Sequence, residues 1–155
     1  MSFDKVKQYF DSQGAGDKVL WLDHSSATVE LAAEAIGCEP ARIAKTLSFL
    51  IDEKAILIVT AGDVKIDNKK YKEQFHTKAK MIPGDQVEAL VGHAPGGVCP
   101  FCAKPGIPVY LDVSLKRFDV VYPAAGRGNS AVKLTLPELE HFSGSLEWID
   151  VCKDM

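Results

Sequence analysis

The chain has 155 residues, which is enough for one domain that buries roughly 70% of the surface its unfolded form exposes. Apolar residues make up 46%, charged residues 25%, and the net charge is −3; this excludes a disordered chain and a protein that holds nucleic acid through bulk positive charge. No segment approaches the ~20 apolar residues of a membrane span, and the N-terminus carries Asp4 where a signal peptide would be apolar. We therefore expect a cytoplasmic protein that contacts neither a membrane nor DNA.

Hydrophobic periodicity and turn residues predict short helices and strands in irregular alternation. In the first half of the chain they predict a helix at 2–13, a strand at 19–23, a helix at 28–37 and strands at 43–51 and 55–61. In the second half they predict a helix at 67–75, an edge strand at 77–81, a helix at 83–91, strands at 107–112, 119–125 and 131–135, a helix at 136–142 and a strand at 146–151. The spacing is too irregular for a doubly wound sheet, so we expect a mixed α/β fold in which a curved mixed β-sheet or barrel is surrounded by short helices.

The strands at 43–51 and 55–61 predict a hairpin buried on both faces, and one lysine interrupts its apolar pattern. Alternate residues of a strand share a face, so Lys45 points the same way as Leu47 and Phe49. Lysine side chains are rarely buried without a partner. Two interpretations stay open: Lys45 extends its ammonium group to solvent, or it lines a pocket and meets an anionic or strongly polar ligand such as a phosphate.

The motif CPFC at 99–102 has the spacing of a redox pair or of half a zinc site. A redox cysteine needs a following helix to lower its thiol pKa, and the sequence AKPGIP after Cys102 cannot start a helix of any length. A zinc site needs further ligands; only His93 is close in sequence, whereas Cys38 and Cys152 stand alone. We therefore expect neither a metal nor another cofactor.

The loop around this motif is rich in glycine and proline. Gly96 and Gly97 let the backbone approach a ligand closely, and Pro95 and Pro100 stiffen the two ends. Such a loop can present backbone N–H groups to a ligand, although a tight turn without a ligand is the alternative interpretation. The sequence shows no Ser-His-Asp set and no pair of carboxylates on a shared face, so we predict no protein nucleophile.

The charge is distributed unevenly along the chain. Six lysines and two acidic residues lie between 65 and 80, whereas five acidic residues and one lysine lie between 137 and 155. The lysine-rich segment is either a solvated helix face or a local patch that contacts phosphates.

Three stretches of the sequence, taken in order, resemble one known family. They are TVELAAEAIG running into ARIAKTLSF, then GHAPGGVCPF, and then GRGNSAVKLTLPEL. In that order and at that spacing, nearly the whole chain resembles the YbaK and prolyl-tRNA synthetase editing-domain family, the aminoacyl-tRNA deacylases that act in trans. The resemblance implies a single editing domain over residues 1–155 with a mixed β-barrel wrapped by helices. It also implies hydrolysis of the ester that joins a wrong amino acid to the 3′ end of a tRNA.

The resemblance implies roles for several residues, matched by position. Lys45 matches the lysine of the IAK(T/S)L motif and would hold the terminal adenosine or its phosphate. The residues implied to line or border the aminoacyl pocket are Gly96, Gly97, Val98, Cys99, Pro100, Gly126, Gly128 and Asn129, with Ser130 as a neighbour. The lysines expected to contact the tRNA acceptor stem are Lys65, Lys69, Lys70 and Lys72. The implied partners are the tRNA 3′ acceptor end and a synthetase or an elongation factor.

Cys99 and Cys102 depart from the serine and glycine of the GGVSPFG pattern that relatives often carry, which leaves the accepted amino acid open. We expect a small cavity that admits alanine, serine, cysteine or threonine and refuses proline, because one methylene gives only ~1 to 3 kcal/mol of discrimination. The tRNA would be tRNA(Pro) or a related tRNA. Two other functions stay open: a non-catalytic module that binds aminoacyl-tRNA or a nucleotide, and a thiol redox or zinc protein built on the cysteine pair.

Overall fold

The computed structural model describes residues 2–22, 28–95, 97–126 and 129–155, so Gly96 and Gly128 of the predicted site lie outside the described residues. The α-helices in these ranges are α1 (Ser2–Ser12), α2 (Val29–Ile36), α3 (Asn68–Phe75), α4 (Gly84–Val91) and α5 (Leu136–Ser143). The strands are β1 (Val19–Trp21), β2 (Ile43–Ile51), β3 (Lys54–Ala61), β4 (Val64–Ile66), β5 (Val109–Asp112), β6 (Val120–Pro123), β7 (Ser130–Val132), β8 (Leu134–Thr135), β9 (Glu147–Ile149) and β10 (Cys152–Asp154). Short 3-10 helices cover Gly16–Lys18, Pro40–Arg42 and Val113–Arg117.

Within the described residues, the strands form one mixed sheet and two small ones. The main sheet has six strands in the order β8-β6-β2-β3-β5-β9 and curls into half a barrel. Its β2–β3 and β6–β8 pairs are antiparallel, whereas its β2–β6, β3–β5 and β5–β9 pairs are parallel. Strand β1 pairs with β7, and β4 pairs with β10. This architecture confirms the mixed α/β fold with a curved sheet and short helices that the sequence predicts.

The hairpin of β2 and β3 follows the predicted bounds to within one residue. Its turn consists of Asp52 and Glu53, whose φ angles of 50° and 64° are the left-handed values that two-residue hairpin turns require. Strand β3 is buried continuously from 56 to 61. Strand β2 is only half-buried from 45 to 47, so the predicted burial on both faces holds for β3 and not for the middle of β2.

Two strand predictions were wrong in detail. The segment 77–81 is not a strand among the described residues, because it contacts β2 only through a bridge between Met81 and Phe49 and through single hydrogen bonds on either side of it. The predicted strand at 131–135 is two strands, β7 and β8, which pair with different partners. The change of partner falls after Lys133: its backbone N–H still donates to the carbonyl of Lys18 next to β1, whereas Leu134 pairs with Val121 of β6.

Two further features fix the elements that surround the candidate site. A Cβ at Gly62 would lie 2.1 Å from the Pro40 carbonyl oxygen and 2.7 Å from Val29 Cγ1, so only glycine lets α2 pack this closely on the end of β3. Phe10 of α1 makes an edge-to-face contact with Phe101 at a centroid distance of 5.0 Å, which anchors the loop before β5 to the core. None of the helices in the described ranges has the length and apolar character needed to cross a bilayer.

Candidate functional site

A cavity of about 400 Å³ opens between α2, the outer edge of β2, the start of α4 and the loops on either side. Its wall includes Lys45 and Thr46 of β2, Met81 before α4, Val98 of the glycine-rich loop and Ser130 of β7. Most of the remaining wall is apolar, as in typical small-molecule sites with a few polar groups. The cavity therefore combines a restricted apolar space with a small set of polar groups.

The cavity lies at a gap in the hydrogen-bond ladder of β2. On its outer edge, β2 pairs with β6 only at Ile43 and Ala44. Further along, the Ser48 carbonyl and the Leu50 N–H bond the segment before α4. Between these contacts, in the part of the chain that the structure describes, the stretch 45–47 has no strand partner on this edge. A strip of β2 backbone thus faces the cavity instead of another strand.

Thr46 occupies the centre of this gap. Alternate residues of a strand direct their N–H and C=O groups to the same edge. The backbone groups of Ser48 and Leu50 point to the edge that carries the gap, so the N–H and C=O of Thr46 point there as well. The Thr46 hydroxyl oxygen is also buried without a hydrogen-bond partner in the described residues. Buried polar groups are normally satisfied, so Thr46 carries unmet hydrogen-bonding capacity beside the cavity, and its backbone groups lie on the open edge.

Lys45 lies on the same wall and is half-buried, as the alternation of the sequence predicts. Its ammonium group donates a hydrogen bond to the backbone carbonyl of Val64. Burial lowers the pKa of Lys45, and the neighbouring Cys152 and Asp63 oppose that shift only in part. No carboxylate in the described ranges forms an ion pair with it. Lys45 is therefore a partly desolvated cation that nearby carboxylates, Asp63 and Glu30, favour without forming an ion pair with it.

The glycine-rich loop contributes only part of its predicted residues to the cavity wall. Val98 and the preceding Pro95 line the cavity, whereas Cys99 and Pro100 are buried behind it. Gly97 is buried as well, and its N–H donates to the Ala94 carbonyl at 3.0 Å. The Gly97 N–H is thus used within the protein, while Val98 and Pro95 contribute side chains to the cavity; presentation of loop N–H groups to a ligand stays a prediction.

The second glycine-rich segment lies next to the first. Gly126 is buried and has a φ of 92°, a value that favours glycine. The Asn129 carbonyl accepts a hydrogen bond of 2.8 Å from Leu22, which holds this segment against the end of β1. Ser130 lines the cavity, and its hydroxyl oxygen accepts the Ala125 N–H at 3.2 Å. Gly126 and Asn129 therefore support the wall, whereas Ser130 forms part of it.

The two cysteines of the CPFC motif contact different groups. The Cys99 sulfur lies 3.5 Å from His93 Nε2 and is fully buried, and the Cys102 sulfur is 3.7 Å from the Lys5 carbonyl oxygen. Burial raises the pKa of the Cys99 thiol to about 12, so the thiolate that a nucleophile or a redox pair needs is disfavoured. In the described residues no three side chains of His, Cys, Asp or Glu converge as metal ligands.

The four lysines expected to contact tRNA lie on β4 and α3, outside the cavity wall. Lys65, Lys69 and Lys72 are exposed. Lys70 is engaged with Asp150 at 3.1 Å, and the hydrogen bond to that carboxylate raises the pKa of Lys70. Lys65 follows Val64, the residue that accepts the Lys45 hydrogen bond, so this basic patch begins next to the cavity wall.

Comparison with known proteins assigns the family. The aminoacyl-tRNA editing domain matches residues 23–142, which is more than half of the chain. The chain belongs to this family. The protein YwhH of Bacillus subtilis (strain 168) is 52% identical over 155 residues, which cover 99% of this chain and 99% of YwhH.

Two further relatives connect this editing domain with prolyl-tRNA synthetase. The proline–tRNA ligase of Shouchella clausii (strain KSM-K16) is 28% identical over 93 residues, which cover 59% of this chain and 16% of the ligase. A crystal structure of a protein proposed to be a trans-editing enzyme for prolyl tRNA synthetase has a TM-score of 0.87 and 29% identity, and covers 98% of this chain and 97% of its own. The family and the fold expected from the sequence are thus confirmed.

Several residues that line the editing-domain cavity were not predicted from the sequence. Thr46 was not predicted because strand alternation assigns it to the face opposite Lys45. The pairing of β2 with β6 ends at Ala44, which opens this edge of β2, and both Lys45 and Thr46 line the cavity there. Met81 and Tyr122 also line the cavity and carry no signal of their own in a single sequence. The usable signal for Thr46 is its position directly after the lysine of the IAKTL motif.

Proposed function

We propose that the chain is a free-standing aminoacyl-tRNA deacylase that hydrolyses the ester between a small amino acid and the 3′ end of a tRNA. Membership of the editing-domain family supports the reaction class. The likeness to a protein proposed to edit in trans for prolyl tRNA synthetase, and to part of a proline–tRNA ligase, supports tRNA(Pro) as the substrate tRNA. The amino acid would be alanine, cysteine, serine or threonine.

The observation that carries this proposal is the half-buried Lys45 in the wall of a mostly apolar cavity. An ammonium group in such surroundings interacts strongly with an anion because little water screens the charge. The 3′-terminal adenosine of an aminoacyl-tRNA brings a phosphate and an ester carbonyl that gains negative charge during hydrolysis. Lys45 would bind the phosphate or stabilise that charge, and it would exchange its hydrogen bond to the Val64 carbonyl for the substrate.

The reaction needs positioning more than it needs a protein nucleophile. Water adds to the ester carbonyl, the bond from that carbon to the ribose oxygen breaks, and the oxygen receives a proton that the water releases. The neighbouring ribose hydroxyl can relay this proton, which makes the hydrolysis substrate-assisted. The thiol of Cys99 and the imidazole of His93 are buried, and burial lowers the pKa of His93, so neither is suited to attack or to abstract a proton at the cavity surface.

The free backbone of β2 completes the proposed site. The Thr46 N–H and C=O lie on the open edge of β2 and would replace hydrogen bonds to water that an ester or an amino group loses on entering the cavity. Val98 and the other loop residues would set the size of the aminoacyl space. Steric exclusion would spare tRNA(Pro) that carries proline. A cavity wall that clashes with the proline ring discriminates more strongly between amino acids than the binding energy of one methylene group does.

The acceptor stem would lie outside the cavity. Lys65, Lys69 and Lys72 would contact its phosphates, and Lys70 would take part only after leaving Asp150. A synthetase or an elongation factor would deliver the acylated tRNA, because the net charge of −3 predicts weak and salt-sensitive binding of tRNA alone.

A deacylation panel tests this function. The substrates are tRNA(Pro) charged with alanine, cysteine, serine or proline, together with correctly and wrongly charged tRNA(Ala) and tRNA(Thr), and the readout is free amino acid released. We expect release of at least one small amino acid from tRNA(Pro) and no release of proline. Binding of the charged tRNAs without any release would instead identify a non-catalytic module.

A further inference from the structure

The turn between β3 and β4 carries an acidic residue next to the hydrogen-bond acceptor of Lys45. The Lys45 ammonium group donates to the Val64 carbonyl, and Asp63 directly precedes Val64 in the chain. Because consecutive Cα atoms are only about 3.8 Å apart, the Asp63 carboxylate is within reach of an ammonium group bound at that carbonyl. Among the described residues, however, the ion pairs of the protein do not include one between Lys45 and Asp63. Lys45 thus bonds a neutral carbonyl although a carboxylate is attached to the adjacent residue.

Arg117 occupies both oxygens of the Asp63 carboxylate. Arg117 Nη1 donates to Asp63 Oδ2 at 3.0 Å, and Nη2 donates to Oδ1 at 2.5 Å. Two parallel hydrogen bonds of this kind combine charge with a fixed geometry, which a lysine cannot reproduce. The hydrogen bonds from Arg117 are the largest cause that lowers the pKa of Asp63. Asp63 is therefore charged near neutral pH, and its charge is directed to Arg117.

The guanidinium group is also held in place by contacts that do not involve Asp63. Arg117 Nε donates to the Ser114 carbonyl at 2.8 Å, and the guanidinium carbon lies 5.0 Å from the centroid of the Phe118 ring. Ser114 is joined to the end of β3, because its hydroxyl oxygen accepts the Ala61 N–H at 3.1 Å. The 3-10 helix that carries Arg117 is thus attached to the strand that leads into the turn, and Arg117 meets Asp63 from a fixed position.

We propose that Arg117 is a positioning residue for deacylation: it holds the Asp63 carboxylate away from Lys45 and so keeps the Lys45 ammonium group available to the anionic 3′ end of the substrate. This inference rests on the proposed deacylase function and gives Arg117 a role that needs no contact with the substrate. Without Arg117, the Asp63 carboxylate pairs with Lys45. In half-buried surroundings such an ion pair is weakly screened and competes with the substrate phosphate.

The test uses both partners of the Arg117–Asp63 pair, singly and together. Arg117→Met releases the Asp63 carboxylate, Asp63→Asn removes the competing charge, and the double variant combines the two changes. Lys116→Met is the matched control, because it removes one exposed positive charge from the same 3-10 helix, where the Lys116 ammonium lies 4.7 Å from the centroid of the Trp148 ring. The readout is kcat/KM for tRNA(Pro) charged with the best small amino acid.

The expected result is recovery of activity in the double variant. Arg117→Met should lower kcat/KM about fivefold or more, since the strongest exposed ion pairs correspond to about fivefold and the competing pair is half-buried. The double variant should regain most of this loss, because asparagine carries no charge to pair with Lys45. Asp63→Asn and Lys116→Met should stay within about twofold of the wild type, as surface substitutions usually do. A purely structural role of the ion pair predicts no recovery, because the double variant lacks the pair as well.

A second readout uses the free protein and needs no activity. NMR titration of the Lys45 side chain measures its pKa in each variant. The Lys45 pKa should be higher in Arg117→Met than in the wild type, because a paired carboxylate favours the charged ammonium group, and it should fall again in the double variant. An unchanged Lys45 pKa in Arg117→Met overturns the inference.

The outcomes separate this inference from the proposed function. An active wild type together with a double variant that is no more active than Arg117→Met overturns the inference and leaves the proposed function standing. A wild type that releases no amino acid from any substrate refutes the proposed function instead. If Arg117→Met does not fold, Arg117→Lys replaces it, because lysine keeps the charge and loses the two parallel hydrogen bonds. The same loss and the same recovery by Asp63→Asn, to a smaller degree, are then expected, and their absence overturns the inference.

Discussion

Two lysine environments in this protein differ in almost every physical respect. Lys45 is half-buried beside an apolar cavity, its pKa is lowered by burial, and its hydrogen-bond acceptor is a neutral carbonyl. Lys69 and Lys72 on α3 are exposed. Lys70, between them, is engaged with a carboxylate.

The difference separates two uses of positive charge. A desolvated ammonium acts strongly over a short distance, because the surrounding dielectric is low and salt screens it little. Exposed ammonium groups act weakly and jointly, and their effect falls as salt rises. We therefore expect Lys45 to control the chemical step and the α3 lysines to control only the affinity for the tRNA, and the following experiments compare the two.

The largest expected effect comes from Lys45→Met, which keeps the length of the side chain and removes its charge. We expect kcat/KM for the best mischarged tRNA to fall by about 100-fold or more, the range seen when one preorganised electrostatic contact is lost. Thermal stability should stay the same or rise, because a buried charge is removed. Lys54→Met at the exposed start of β3 is the matched control and should retain activity; equal losses in both variants would contradict the separation.

The pH dependence of deacylation gives the second test. The charged form of Lys45 is complete below its pKa in the folded protein and is lost as the pH rises through that value, which burial moves below the ordinary 10.5. The rate, after subtraction of spontaneous hydrolysis, should therefore decline with a midpoint below pH 10.5. Lys45→Arg stays charged throughout this range and should not show the decline. The same decline in both proteins would assign it to another group.

The exposed lysines should give a smaller effect of a different kind. The double variant Lys69→Gln, Lys72→Gln should weaken tRNA binding about threefold to tenfold and reduce the slope of log affinity against log salt concentration, by about 0.7 to 0.9 per lost phosphate contact. The kcat value should not change. Fluorescence anisotropy over a series of salt concentrations measures the slope, and a fall in kcat without a change in slope would refute the assignment.

The smallest effect is expected at the exposed pair of Lys70 and Asp150. Exposed ion pairs contribute about 0 to 1 kcal/mol, so Asp150→Asn should barely change the unfolding temperature. It should raise tRNA affinity slightly, about twofold, because Lys70 is released and one acidic group is removed. Lower affinity in Asp150→Asn would mean that Lys70 needs this carboxylate to be positioned for phosphate binding.

Local patterns in the sequence predict most of the fold. The helix at 28–37 is confirmed to its caps, with the Thr28 hydroxyl accepting the Leu31 N–H and Gly37 in a left-handed conformation. The small β4–β10 sheet could not be predicted, because each strand has three residues and the two segments are far apart in the chain. Short strands of this kind are stabilised by their tertiary neighbours and carry no periodic signal.

The candidate site was only partly predictable for a related reason. Strand alternation was sufficient to mark Lys45 as a cation on an apolar face, and the structure has it half-buried beside a cavity. Alternation could not show that β6 leaves β2 after Ala44, which is what brings Thr46 into the same wall. Nor could it show that the Cys99 side chain is buried away from the cavity while Val98 lines it, because that depends on how the loop packs against Phe10.

The interrupted ladder of β2 also bears on how the protein avoids self-association. A strand with free N–H and C=O groups invites another extended chain to add to it, which is the usual route to aggregation through sheet edges. Here β6 and the segment before α4 occupy the two ends of that edge and leave only residues 45–47 open. Three residues are too few to pair with a strand of another molecule, yet they suffice to bind a compact polar ligand. The same gap in the ladder therefore forms a binding surface and prevents association of molecules through this edge of β2.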